Sequence, residues 1–139
     1  ILAQGGVALR PGVADLIRTA RARGLALAVA TTTNRPNVGA LAMACWNRPA
    51  VQVFDVIAAG DEVAAKKPAP DVYALALRRL DLPAGAALAF EDSRNGVLSA
   101  RGAGLRVVVT PSAYTAGEDF AGASEVLADL TGFDLTRWG

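Results

Sequence analysis

Leu25-Ala26-Leu27-Ala28-Val29-Ala30-Thr31-Thr32-Thr33-Asn34 is the stretch from which the rest of the chain can be read. Six apolar residues in a row, too few for a helix of ordinary length, read as a strand buried on both faces. That is the mark of a parallel sheet covered by helices. Upstream, Pro11 is followed by Val13, Leu16, Ile17 and Ala20 at the spacing of one helical face, with Arg21 and Arg23 suited to the negative end of its dipole and Gly24 as a stop. Downstream, Asn34 is placed to cap a second helix entered through Pro36, with Val38, Leu41, Ala42 and Cys45 along one side.

The alternation continues. Val51 to Ala59 reads as a second strand ending at Gly60-Asp61. A third helix runs from about Pro70 to Leu80, with Tyr73, Leu77 and Leu80 on one stripe and Val72, Leu75 and Ala76 on its flank. Ala86 to Phe90 reads as a third strand, Asn95 to Ala103 as a fourth helix and Arg106 to Thr110 as a fourth strand. Pro111 to Gly122 reads as a loop and Ser124 to Leu130 as a last short helix. Strand and helix in regular turn predict an α/β fold, Rossmann-like, with a mainly parallel sheet flanked by helices and right-handed crossovers.

Bulk composition agrees and excludes some functions. The 139 residues are one ordinary domain, 53% hydrophobic but only 6% aromatic, so the core is built from Ala, Val and Leu. Fourteen basic against thirteen acidic residues give a net charge of +1. That charge, without a basic stripe interleaved with aromatics, argues against a nucleic-acid partner. No apolar run approaches the roughly 18 residues of a membrane span, and one cysteine, Cys45, allows no internal disulfide. The expected location is the cytoplasm. The absence of any His removes the commonest general base and every His-based metal site or triad.

Three polar segments fall at or just beyond the carboxyl ends of the expected strands, where open α/β sheets bind ligands. Thr31, Thr32, Thr33 and Asn34 offer hydroxyls and successive N–H groups at a helix entrance. They form either an anion cradle or a Thr-rich strand end with a plain cap. In Lys66-Lys67-Pro68-Ala69-Pro70-Asp71 the prolines stiffen the stem of Lys67, which suits a point charge aimed at a phosphoryl oxygen, whereas Lys66 reads as solvated. Glu91 and Asp92 follow a buried strand side by side. Such a pair repels itself unless it is solvated or shares a hard cation such as Mg²⁺, and Ser93 and Asn95 stand ready to orient it or to start the next helix. Arg35 offers a contact for a second anionic group or a plain surface charge. Asp61 frames the site or solvates a turn, Trp46 and Trp138 read as packing residues, and Glu118-Asp119 reads as solvated.

In this order the segments resemble motifs two, three and four of the haloacid dehalogenase superfamily: Thr31 closing a hydrophobic strand, Lys67 in its Pro-rich segment, and the acidic pair in Phe90-Glu91-Asp92-Ser93-Arg94-Asn95-Gly96. With Phe54-Asp55-Val56-Ile57 between them, they are similar to the β-phosphoglucomutase-like branch and, within it, to CbbY-type sugar-bisphosphate phosphatases. The resemblance covers about Leu9 to Ala123. It implies that Thr31 and Lys67 bind a transferring phosphoryl group, that Asp92 ligates Mg²⁺ and that Glu91 supports or shares that ligation. It also implies a phosphorylated small molecule, a sugar phosphate or bisphosphate, as partner.

The family's first motif, an Asp-x-Asp-Gly segment whose first Asp becomes an aspartyl-phosphate, has no counterpart in these 139 residues, and neither has the cap domain that selects the substrate. Gly5-Gly6-Val7-Ala8 resembles the tail of a linker returning from such a cap. The expectation is the C-terminal part of a core domain, inactive when alone. Its sheet would lack a mid-sheet strand between those ending at Thr31 and Phe90, and would carry a gap or close around it. An N-terminal fragment or self-association is the expected partner for that gap. The other readings are a non-catalytic remnant or split-protein half that binds phosphate or a partner segment, and an unrelated dinucleotide-binding domain. Against the last, no Gly-x-Gly-x-x-Gly follows a strand.

Overall fold

The computed structural model of the chain describes residues 2–3, 12–46 and 48–138; of the side chains of residues 2, 3, 35, 41 and 44–46 nothing is described. In chain order the elements are β1 (Leu2–Ala3), α1 (Val13–Ala22), β2 (Ala28–Ala30), α2 (Arg35–Trp46), α3 (Ala50–Val53), β3 (Val56–Ala58), α4 (Asp71–Leu80), β4 (Leu88–Glu91), α5 (Arg94–Gly102), β5 (Arg106–Val109) and β6 (Glu125–Val126). Short 3₁₀ turns lie at Gly60–Glu62, Ala84–Ala86 and Leu135–Trp138.

Every strand pair is parallel. β1, β2 and β3 form one three-stranded sheet in that order, and β4, β5 and β6 form another. β1 lies against β4 and so brings the two sheets together. Strand residues alternate between two cores, as a pleated strand requires. Val29, Ile57, Leu88, Phe90 and Val108 pack with α1, α2 and α3 on one face. Ala30, Ala58, Ala89, Val107 and Val109 pack with α4 and α5 on the other. Small alanines on that second face let α4, carrying buried Val72, Tyr73, Ala76 and Leu77, settle closely on β2 and β3. The α/β class and the parallel sheet are as the sequence implies.

Two elements differ. Residues 50–53 form one helical turn, not the start of a strand. The strand begins only after Asp55, whose backbone N–H donates to the Leu27 carbonyl at 2.7 Å and whose carboxylate accepts the Leu27 N–H at 2.7 Å. That clamp fixes where β3 enters the sheet, whatever the β-branched residues before it prefer. Residues 124–130 do not form a helix: Glu125–Val126 pair with Val108 and Val109. The Ser124 and Leu127 N–H groups donate to the carbonyls of Val107 and Val109, both at 2.8 Å. The unpaired edge of β5 outweighs the helical spacing of Val126, Leu127 and Leu130.

The mid-sheet gap is met from within the chain. Leu2 and Ala3 pair with Val29 and Ala30 on the side of β2 that faces β4, a position no motif in the sequence signalled. Residues 5–8, read as a linker tail, lie outside the described residues. Among the described residues no helix is long and apolar enough to cross a membrane.

Arg21 also pairs with Asp55, at 3.1 Å, and with hydrogen bonds from Leu27 and Arg21 the Asp55 carboxyl is held below its ordinary value of 3.8. Asp55→Ala strands a backbone N–H at the start of β2, and a loss of about 1–2 kcal/mol in urea unfolding is expected. The sign in pH follows from the lowered value. The carboxylate's contribution is complete above the unfolded-state pKa and vanishes as pH falls through the lower folded-state one. The stability difference between wild type and variant therefore shrinks below about pH 4.

Candidate active site

Lys67 sits in the segment that carries the chain from β3 to α4. Its peptide bond to Pro68 is cis. The segment is fastened at three points: Ala69 N–H to the Lys66 carbonyl at 3.0 Å, Ala65 N–H to the Asp71 carboxylate at 3.2 Å, and the Ser99 hydroxyl of α5 to the Ala69 carbonyl at 2.7 Å. From this stem the Lys67 ammonium donates to the Ala30 carbonyl at 3.0 Å and to Glu91 Oε2 at 2.6 Å. Ala30 immediately precedes Thr31, and Glu91 immediately precedes Asp92. One ammonium therefore ties the carboxyl end of β2 to that of β4, and three segments far apart in sequence meet at one rim of the sheet.

Glu91 is buried, with 1% of its side chain exposed against 7% for Lys67. Its Oε2 also accepts the Tyr73 hydroxyl at 2.5 Å, and the Lys67 ammonium stands 5.1 Å from the centre of the Tyr73 ring. On the Oε1 side there is space only because residue 96 is glycine: a Cβ there would lie 1.8 Å from Oε1. Burial pushes the Glu91 carboxyl above its ordinary value, although Lys67 and Tyr73 both pull it down. The Tyr73 hydroxyl is pushed well up, first by burial and then by the Glu91 charge.

Thr31 is buried at 1% exposure. Its N–H donates to the Ala58 carbonyl at 3.0 Å, and its Oγ1 accepts the Thr33 N–H at 3.1 Å. Thr32 is exposed and Thr33 half-buried. The Thr33 carbonyl takes the Gly60 N–H at 2.9 Å. The backbone of Thr32 presses so closely on Gly60 that a Cβ there would stand 2.2 Å from the Thr32 oxygen. Asn34 does cap α2, its Oδ1 accepting the Asn37 N–H at 2.9 Å, while Asn37 Nδ2 holds the Thr33 hydroxyl at 2.7 Å. Asn34 thus acts as the cap, and capping does not exclude an anion cradle at the same helix entrance. The side chain of Arg35 lies outside the described residues, as do those of Cys45 and Trp46.

At the end of β4 the acidic pair divides. Glu91 turns inward to Lys67 and Tyr73, and Asp92 is half-buried at the rim. Asp92 is held through its carbonyl, which accepts the Thr115 hydroxyl at 2.6 Å. Ser93 caps α5, its Oγ accepting the Gly96 N–H at 3.1 Å, and Asn95 stands exposed in the first turn. Glu118, expected to be merely solvated, accepts the Arg94 N–H at 2.8 Å and so braces the same helix start. Asp61 lies exposed in the 3₁₀ turn. Trp138 packs as expected, stacked on Phe133 at 6.3 Å. Lys66 is exposed.

Among the described residues no three metal-ligating side chains cluster. The donor set is nonetheless of the right chemistry for Mg²⁺, a hard cation that keeps several waters and takes one or two carboxylates together with phosphate oxygens. Asp92 is the carboxylate at the rim that fits. The sequence reading gave Tyr73 a place only in a packing stripe and Thr115 no role, left Gly96 without a function of its own in the fourth motif, and read Glu118 as solvated. The one available signal was Tyr73, a residue with a polar tip in a helix stripe otherwise made of Ala, Val and Leu.

A family model described as haloacid dehalogenase-like hydrolase matches residues 1–104. The CbbY protein of Cereibacter sphaeroides is 56% identical over 142 residues, an overlap covering 98% of this chain and 62% of that protein. The chain thus spans less than two thirds of that relative. The crystal structure of a CbbY mutant from Rhodobacter sphaeroides in complex with xylulose-(1,5)bisphosphate superposes with a TM-score of 0.86 at 59% identity, over 87% of this chain and 54% of that one. A putative β-phosphoglucomutase from Thermotoga maritima matches at TM-score 0.74 and 29% identity, over 84% and 54% of the two chains. With the family model spanning most of its length, the chain belongs to the haloacid dehalogenase-like hydrolases, where its similarity is to CbbY and the β-phosphoglucomutase-like proteins.

Proposed function

We propose that this chain carries the phosphate-holding half of a Mg²⁺-dependent phosphatase that acts on a sugar phosphate, and most specifically on a sugar bisphosphate. The observation that carries the reading is the Lys67 ammonium seated between the end of β2 and the end of β4, with Thr31 and Asp92 next in sequence to its two partners. Lys67 supplies a fixed positive charge beside an anion. The Thr31–Asn34 turn supplies N–H groups and hydroxyls at the start of α2, and Glu91 holds Lys67 in place. Asp92 would hold Mg²⁺, which when bound neutralises phosphoryl oxygens. Arg35 would meet a second anionic group of the substrate. The bisphosphate reading is supported by the identity to CbbY, of which one structure bears xylulose-(1,5)bisphosphate. The cytoplasm, where phosphorylated sugars and Mg²⁺ meet, is the proposed compartment.

Assayed by itself the 139-residue chain is expected to bind phosphate and not to turn it over, because the nucleophilic aspartate that the family resemblance calls for has no counterpart in it. Titration calorimetry with orthophosphate and Mg²⁺ should show binding that a Lys67→Met/Glu91→Gln double variant lacks. That variant removes the cation without stranding the carboxylate. Absence of phosphate binding by the wild-type chain, or p-nitrophenyl phosphate turnover above the double variant, would sink the reading. A second reading, a split-protein half that takes up a partner strand, is favoured by an apolar cavity of about 370 Å³ among Ile17, Leu27, Leu88 and Phe90. A monodisperse monomer with a cooperative melting transition would count against it.

A further inference from the structure

A lysine side chain is long and loses much rotamer freedom when it is fixed, so an ammonium that must meet a phosphate at one place needs several restraints. Lys67 has three. The Ala30 carbonyl and Glu91 Oε2 accept its protons, and the face of the Tyr73 ring lies 5.1 Å away. The second of these restraints is itself held. A glutamate carboxylate turns easily about its last bond, but here Oε2 also accepts the Tyr73 hydroxyl at 2.5 Å while Oε1 fills the space over Gly96. Tyr73 is completely buried, in the first turn of α4, the helix that begins where the Lys67 segment ends. Core packing asks only for its ring. The hydroxyl has one acceptor described, and that acceptor is the partner of Lys67.

We infer that Tyr73 is a positioning residue of this site: its hydroxyl fixes the Glu91 carboxylate, and through it the reach of the Lys67 ammonium. The inference rests on the phosphate-site reading for its consequence, but the positioning itself is measurable without any phosphate. Tyr73→Phe keeps the ring, the packing and the cation–π contact, and deletes only the hydroxyl.

The test is competitive acylation with acetic anhydride at one fixed pH. Labelling of Lys67 is read by fragmentation mass spectrometry against Lys66, the exposed neighbour in the same molecule. Tyr73→Phe should raise the Lys67 to Lys66 ratio about fivefold, the scale of one lost hydrogen bond. In a Glu91→Gln background the same substitution should change the ratio little, because the link runs through the Glu91 carboxylate. An unchanged ratio in the first case, or an equal rise in both, overturns the inference and leaves Tyr73 as a packing residue. A second readout needs no Tyr73 variant: the wild-type proton spectrum should show a protected, downfield Tyr73 hydroxyl that Glu91→Gln shifts, and its absence also overturns the inference. Orthophosphate should slow Lys67 labelling in the wild type. If it does not, the phosphate site fails while the ratio still decides the role of Tyr73.

Discussion

Gly96→Ala is expected to lower stability by about 3 kcal/mol in urea unfolding, combining overpacking with disruption of a buried ion pair. The added methyl would lie 1.8 Å from Glu91 Oε1, 2.1 Å from Cδ and 2.8 Å from Cγ. A flexible, solvated glutamate would swing aside at little cost. Glu91 is held by Lys67 and Tyr73 with 1% exposure, so it can move only by breaking those bonds. Orthophosphate binding should fall with it by a factor of about ten or more, since the Lys67 ammonium loses its anchor. Gly39→Ala is the control. Gly39 lies within α2 with nothing within 4 Å of where a Cβ would stand, so the substitution should stabilise by about 0.5–1 kcal/mol through helix propensity alone. Equal effects at the two glycines would show that the space beside Glu91 is not needed.

This contrast marks how far the sequence could be read. That Lys67 meets the ends of β2 and β4 was legible because strand ends in an alternating α/β chain converge on one edge, so three local patterns sufficed to bring the segments together. The partner of Lys67 was not. Whether Glu91 turns to a metal or to a lysine depends on which way the end of β4 faces, and on a glycine five residues later leaving room. Neither is a property of the acidic pair itself. Tyr73 shows the same limit, since periodicity reports that a residue faces inward and says nothing of what its hydroxyl meets there. The fold misreadings have a common cause as well. Residues 51–53 and 124–130 have local preferences that a distant strand edge or a distant backbone clamp overrides, and the two described residues of β1 carry no pattern of their own.

Lys67→Met alone is expected to cost on the order of 3–5 kcal/mol, because it leaves the Glu91 carboxylate buried with Tyr73 as its remaining described donor. Glu91→Gln alone strands the ammonium instead. The double variant should recover much of the loss, since a buried pair replaced by neutral groups of similar shape is close to neutral. A coupling energy of about 2–3 kcal/mol then separates the sum of the single losses from the double one. The pH dependence has a definite sign. Burial already places the folded-state pKa of Glu91 above its ordinary value of 4.5, and removing Lys67 takes away the largest force pulling it down. The protonated carboxyl is the form the folded interior prefers, so Lys67→Met should be least damaging below about pH 4.5 and should lose stability as pH rises through the raised value. Unfolding midpoints across pH 4 to 8, taken for the four members of the cycle, measure this directly. If the penalty of Lys67→Met is the same at both ends of that range, or the single losses simply add, the ammonium and the carboxylate are not the coupled pair on which the proposed phosphate site rests.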